Sequence, residues 1–262
     1  MAANTLPETF RLDGRIAFVS AARGHLGQAM TRALAEAGAH VIVNGRDEAK
    51  LAQFEAALRA EGLSVARAAF DVGNPAAVRA FFASLPRLDI LVNNAVSMQV
   101  KSFANLAPED FAATYASAVT AAFEAARAAR PALQAAVAAA GDASIVNIAS
   151  MYGQVAPDGR LYPARENQSP FHYGPAKAGL LQLTRHLAAE LGPDGIRVNA
   201  LVPGPFPARI DADLAASLSG RTMLGRLGQA REIGGPLLFL ASPASSYMTG
   251  AALNIDGGWT AW

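Results

Sequence analysis

Cysteine is absent from all 262 residues. A disulfide framework and a thiolate metal site are therefore both excluded. Histidine is scarce: His25, His40, His172 and His186 are the only four, and they lack the spacing of a ligand set. Each is read as a surface or polar-cap residue, and no metal is expected. His172 precedes a tyrosine of interest, but consecutive helical residues do not face each other, so it is not taken as a proton partner. Charge of one sign is missing as well, since 22 Lys and Arg stand against 21 Asp and Glu for a net charge of +1. That balance gives no electrostatic reason to expect nucleic acid or an anionic membrane as partner. No uncharged apolar run reaches the roughly 18 residues needed to span a bilayer. The opening M-A-A-N-T-L-P-E-T-F-R has acid and proline where a signal peptide is apolar. A soluble, cytoplasmic protein is expected. No G-x-S-x-G elbow occurs, which argues against a hydrolase serine.

Apolar residues are abundant at 52%, with 16% charged, enough for a sizeable core. Strand-like and helix-like stretches alternate along the chain. Strands are expected at Ile16–Ser20, His40–Asn44, Ser64–Phe70, Ile90–Asn93, Ala143–Ala149, Arg197–Leu201 and Ala252–Ile255. Helices are expected at Gly27–Ala37, closed by Gly38, and at Glu48–Glu61. Asn74-Pro75 reads as an N-cap followed by proline at N1, opening a helix to about Ser84. Pro108, with Glu109 and Asp110 in the first turn, opens a long Ala-rich helix with a candidate break at Pro131. Continuous apolar strands alternating with helices predict an α/β fold: a doubly wound parallel sheet covered on both faces. Without a linker, charge block or repeat, residues 1–262 read as one domain.

The chain is organised around Ser150 to Lys177. Ser150 ends an apolar strand, and Tyr173 and Lys177 stand four apart at the start of a segment with Leu180, Leu183, Leu187 and Leu191 on one face. That spacing brings phenol and ammonium together. Pro175 between them fits only a first helical turn. The helix dipole and the Lys177 charge are both expected to lower the phenol from its usual value of about 10, making Tyr173 a usable acid/base. The turn Ser20–Gly27, S-A-A-R-G-H-L-G, lies between the first strand and its helix, where backbone amides cradle a pyrophosphate. Ligands bind beyond the carboxyl ends of such strands, at the switch point.

These motifs, in this order, resemble the short-chain dehydrogenase/reductase family over nearly the whole chain. The Gly-rich turn is followed by Asp71-Val72, Asn93-Asn94-Ala95-Val96, Ser150, Tyr173-x-x-x-Lys177, Pro203-Gly204, Thr249-Gly250 and Asp256-Gly257-Gly258. The resemblance implies a Rossmann-type sheet of seven strands, a nicotinamide cofactor, hydride transfer between a carbonyl and an alcohol, and a homotetramer. It further implies that Tyr173 exchanges the proton with the substrate oxygen, while Ser150 hydrogen-bonds that oxygen. Lys177 is expected to tune the tyrosine and hold the nicotinamide ribose. Ser20, Ala22, Arg23, His25, Leu26, Asn44, Gly45, Arg46, Asp71, Val72, Asn94, Ala95, Pro203 and Gly204 complete the expected cofactor site, with Tyr173 and Lys177.

Four features depart from the family pattern. Ala21 replaces the first glycine, and the second arrives one place early at Gly24. Val96 replaces the glycine of Asn-Asn-Ala-Gly, and Ala118 stands where the catalytic asparagine is expected. Ser150 and Tyr173 lie 23 positions apart, roughly ten more than is common in the family. The insert, Ala156 to Pro170, is expected to wall the substrate site, with Arg160 or Arg165 favouring acidic or polyhydroxylated substrates. Beyond the second strand, glycine and arginine (Gly45, Arg46) stand where an NAD-selecting acid would be, so NADP(H) is preferred, with NAD(H) second. S-M-Y-G, A-P-D-G-R-L-Y and the W-T-A-W tail point toward sugar- or gluconate-type substrates. The alternatives are a 3-oxoacyl-carrier-protein reductase and a dinucleotide-binding homologue without turnover. Trp259 and Trp262 read as packing or subunit anchors. With Ala118 unable to hold the relay water, the proton path is expected to be rerouted through backbone carbonyls and water.

Overall fold

A computed structural model describes residues 7–164 and 168–262. Seven strands form its sheet: β1 (Ile16–Val19), β2 (His40–Gly45), β3 (Val65–Ala69), β4 (Ile90–Asn93), β5 (Ala143–Ile148), β6 (Ile196–Pro203) and β7 (Ala252–Ile255). All are parallel, in the order β3-β2-β1-β4-β5-β6-β7. The order reverses between β1 and β4, creating the crevice in which such sheets bind ligands. The apolar runs reflect burial on both sides, since every residue of β4, β5 and β6 is buried.

The helices are α1 (His25–Glu36), α2 (Glu48–Ala60), α3 (Pro75–Ala83), α4 (Pro108–Tyr115), α5 (Ala121–Ala140), α6 (Tyr173–Leu191), α7 (Ala212–Arg221) and α8 (Gly234–Ala241). Alternation along β1 feeds two cores. Ala17 and Val19 join Met30 and Leu34 of α1 and Leu237 and Leu240 of α8. Phe18 points the other way, to Phe82 of α3, Leu133 of α5 and Leu187 of α6. At the amino ends of the strands, Arg15 bonds Asp89 and Asp142, and Arg197 also reaches Asp142. This buried charge network ties four strands together at the end opposite the crevice.

Strand ends shift by no more than two residues from the sequence expectation, and two helices depart from it more clearly. Helix α1 starts at His25 rather than Gly27, because Gly24 caps it through backbone conformation without a side-chain signal. Pro131 does not break the Ala-rich helix, which runs on to Ala140. Pro131 and Arg127, whose carbonyl the proline leaves without its helical donor, both lie on the exposed face, so water can serve that oxygen. The irregularity comes earlier, as a π-helical turn at Ala116–Thr120 between α4 and α5.

Candidate active site

The first turn of the crevice is built on a strained residue. Ala21 holds φ +49°, a left-handed conformation that glycine adopts freely and alanine does not. Its carbonyl accepts from Gly24 N–H at 3.0 Å and closes the turn. A Cβ on Gly27 would sit 2.4 Å from the Ala21 oxygen, so only glycine lets α1 approach this closely. The first-turn amides of α1, including those of His25, Leu26 and Gly27, have no helical acceptors and are available to an anion. Beside them lies a cleft of about 630 Å³, lined by Arg23, Gly45, Arg46, Asp71, Val72 and Ala95, among others. An anionic, elongated ligand such as a dinucleotide fits this combination of amide donors, glycine-permitted approach and cationic rim.

Several expected cofactor residues lie just behind this surface. The Ser20 hydroxyl accepts from Asn94 N–H (2.8 Å) and Ala95 N–H (3.0 Å), pinning β4 to β1. Asn94 Nδ2 donates back to the carbonyls of Ser20 and Ala21. Asn44 lines the cleft too, but its amide donates to the carbonyls of Ala68 and Phe70. Ala22 is fully buried. Pro203 ends β6, and Gly204 abuts Asp256. The side chains of Ser20, Asn44 and Asn94 thus shape the crevice wall through backbone contacts.

At the carboxyl end of β5, Ser150 caps a short 3-10 turn, Met151–Gly153, by accepting from Tyr152 N–H at 3.2 Å. Two glycines press this turn against α6. A Cβ on Gly153 would lie 2.8 Å from Lys177 C, and one on Gly174 would lie 2.8 Å from Tyr152 O. Tyr173 is the first residue of α6, as Pro175 requires. Lys177 is 2% exposed, donates to the Ile148 carbonyl at 2.6 Å, and sits 5.6 Å from the centre of the Tyr173 ring. Ser150, Tyr173 and Lys177 therefore converge where the crevice meets β5.

Their electrostatics correct the sequence expectation. The Tyr173 phenol is pushed up, not down, because burial disfavours phenolate; hydrogen bonding with Ser150 opposes this. Burial likewise pushes the Lys177 ammonium down, to about 8. Both shifts follow from desolvation, a tertiary effect that helical spacing does not reveal. Both also favour the protonated phenol over phenolate.

Ala118 is 3% exposed and packs with Val119, Ala122, Ala176 and Leu180. The position expected to carry a relay amide is thus apolar. Ser117 faces elsewhere, accepting from Ser97 N–H at 3.0 Å. The only protein acceptor for Lys177 Nζ among the described residues is the Ile148 carbonyl.

Arg160 does not reach inward. Its side chain is 90% exposed and forms a two-point ion pair with Asp158, which also caps the Gly159–Leu161 turn. Arg165 and Glu166 lie outside the described residues. A cavity of about 760 Å³ opens between the insert, Lys101, Phe103 and the outer side of Gly174 and Pro175. None of Ser150, Tyr173 or Lys177 lines it, but Tyr152, Gly153 and Gly174, their neighbours in sequence, do. Sequence reasoning missed the Tyr152–Tyr162 contact, a 2.5 Å bond between hydroxyls. It also misplaced His172, which is 1% exposed, with neither ring nitrogen bonded among the described residues. Trp259 is a packing anchor, buried with Met151 and Leu218, whereas Trp262 is exposed and flanks Arg221. Among the described residues, no cluster of metal-ligating side chains occurs, and no helix is long and apolar enough to cross a membrane.

A family model described as enoyl-(acyl carrier protein) reductase matches residues 21–260. The chain belongs to the short-chain dehydrogenase/reductase family. It is an oxidoreductase of that family by the company it keeps. It is 32% identical to gluconate 5-dehydrogenase of Gluconobacter oxydans, over 97% of this chain and 98% of that protein. It is 35% identical to the L-tagatose-forming galactitol 2-dehydrogenase of Cereibacter sphaeroides, over 97% and 98%. The crystal structure of a Burkholderia cenocepacia gluconate 5-dehydrogenase, in complex with NADP and tartrate, superposes with a TM-score of 0.86. That pair is 33% identical, covering 97% of this chain and 98% of the other. The expected fold, the doubly wound seven-stranded parallel sheet, is the one observed.

Proposed function

We propose that this dehydrogenase/reductase uses NADP(H) to interconvert a carbonyl and a secondary alcohol on a polyhydroxylated, sugar- or polyol-like substrate. The observation that supports it most is the convergence of Ser150, Tyr173 and buried Lys177 at the carboxyl end of β5, beside a cleft rimmed by Arg23 and Arg46. In the direction of reduction, Tyr173 gives its proton to the carbonyl oxygen as charge develops there. Ser150 donates a hydrogen bond to the same oxygen and stabilises that charge. Lys177, held by the Ile148 carbonyl and set close to the Tyr173 ring, adds positive charge that favours the phenolate left behind. The nicotinamide, when bound, supplies the hydride in reduction and accepts it in oxidation. The amides of His25 and Leu26 would hold its pyrophosphate, and Arg46 a 2′-phosphate, with Gly45 leaving room for that phosphate.

The names of the relatives support a sugar- or polyol-like substrate, and those substrates are carried over here as part of the proposal. We also infer a homotetramer, a reading supported by the exposed Phe111, Tyr115 and Phe123 around the π-helical turn; light scattering in solution checks it. The functional proposal is tested by mixing the protein with NADPH and a panel of carbonyls, and with NADP⁺ and the matching alcohols. Turnover concentrated among polyhydroxylated compounds is expected. Cofactor binding without consumption across the whole panel contradicts it.

A further inference from the structure

Tyr152 precedes the inserted segment Ala156–Pro170 and Tyr162 lies within it, and their hydroxyl oxygens lie 2.5 Å apart. Their surroundings are apolar: Met151, Leu161, Leu214, Leu218 and Trp259 pack about them. The Tyr152 ring meets Trp259 edge-on at 6.4 Å. The partnership is built, since Asp158 caps the turn before Tyr162 and is itself braced by Arg160. Leu161 and Tyr162 pack in the same apolar cluster as Leu218 of α7.

The pair leaves one donor open. Two phenols carry two hydroxyl hydrogens, and their mutual bond uses one. Among the described residues neither hydroxyl has another bond, so one donor remains without a protein acceptor. Both rings are half-buried, where such a donor is satisfied by a ligand or by water. Burial also holds both phenols above their ordinary value, so the pair stays neutral and remains a donor at working pH.

The pair also stands next to the chemistry. Tyr152 is two residues past Ser150, and its own N–H bonds the Ser150 hydroxyl. Its backbone packs on the first turn of α6, since a Cβ on Gly174, next to Tyr173, would lie 2.8 Å from Tyr152 O. Neither Tyr152 nor Tyr162 lines the cleft at α1; Tyr152 instead lines the cavity of about 760 Å³, together with Gly153, Gly174 and Pro175 next to Tyr173.

We propose that Tyr152 and Tyr162 act as one specificity-determining unit, donating a hydrogen bond to a substrate oxygen on a carbon near the reacting one. The class selected is a vicinal diol, a hydroxy ketone or a hydroxy acid, against an otherwise equal alcohol or ketone lacking that oxygen. This inference rests on the proposed carbonyl/alcohol activity and deepens it. The insert gains a purpose from it, because the insert is what brings Tyr162 back to Tyr152.

The experiment compares kcat/KM for trans-1,2-cyclohexanediol and cyclohexanol, and for the best substrate of the carbonyl panel and its deoxygenated analogue. The enzymes are wild type, Tyr162→Phe, Tyr152→Phe and the double variant. Phenylalanine keeps each ring and its packing while removing the hydroxyl. A neutral hydrogen bond corresponds to roughly a tenfold preference for the oxygenated substrate, and each single variant should lose most of it. The double variant should lose little more, because the two hydroxyls act together. A purely structural role would lower both members of each pair equally and leave the ratio untouched; that result overturns the inference. A wild type that turns over substrates without preferring the oxygenated member overturns it too, while leaving the oxidoreductase reading intact. A wild type that binds NADPH but turns over nothing removes that reading, and the inference with it.

Discussion

Lys177 predicts a pH dependence of stability that can be worked from its surroundings. It is 2% exposed, and its ammonium is pushed from 10.5 to about 8 by burial. The unfolded chain keeps the ordinary value. Between pH 8 and 10.5 the unfolded chain therefore binds a proton that the folded chain has lost, and stability rises with pH across this window. Below pH 8 both states are protonated and the slope vanishes. Two and a half pKa units at about 1.36 kcal/mol each give a gain of about 3 kcal/mol, most of it reached by pH 10. The tyrosine works in the opposite sense: Tyr173 is raised, so its contribution is lost only above pH ~10. Urea unfolding of wild type and Lys177→Met at half-unit steps from pH 7 to 10 isolates the lysine. Methionine leaves the Ile148 carbonyl without its donor, but that penalty is the same at every pH and only displaces the curve. The wild type should gain about 2–3 kcal/mol relative to the variant over this range. Parallel curves would show that the ammonium is solvated, and would refute the burial on which the argument stands.

Three further outcomes follow from the site. Gly45→Asp with Arg46→Leu should move the ratio of kcat/KM for NADP over NAD by about 10–100-fold toward NAD, the loss of one or two charge-assisted bonds; an unchanged ratio rules out Arg46 as the phosphate contact. The atoms nearest a Cβ at Gly45 belong to Leu51, at an ordinary 3.5 Å, so the backbone there accepts a side chain and the change tests recognition rather than folding. Ala21→Gly should stabilise the chain by about 1 kcal/mol by relieving the left-handed φ of +49°, raising Tm by roughly 3 °C in a calorimetric scan. Ala118→Asn should lower stability by about 1–3 kcal/mol without raising kcat, because it buries an amide among Val119, Ala122 and Leu180; a higher kcat would restore the asparagine relay.

The strands were legible because a strand buried on both faces is mostly apolar, as in Ile145-Val146 and Ala200-Leu201-Val202. Tyr173 and Lys177 were legible because their relation is local, four residues along one helix with Pro175 fixing its first turn. What escaped depends on contacts distant in sequence. The direction of the Tyr173 shift is set by packing around the ring, which outweighs the dipole argument. The inward role expected of Arg160 fails because Asp158, two residues away, holds the guanidinium at the surface. The phenol pair requires Tyr152 and Tyr162 to meet across a turn whose course is set by Asp158 and the apolar cluster at α7. Ala21 shows a local rule broken in place: the left-handed turn is retained with alanine in it.

The central claim, that Tyr173 is the proton donor and acceptor of a nicotinamide-dependent reaction, is tested most directly by Tyr173→Phe with two readouts. NADPH fluorescence titration should give a dissociation constant within a few-fold of wild type, since the cleft at α1 is untouched. Steady-state turnover of the best panel substrate should fall by about 10²–10⁴-fold, the usual contribution of a general acid/base. Retention of wild-type turnover alongside intact cofactor binding would contradict the account.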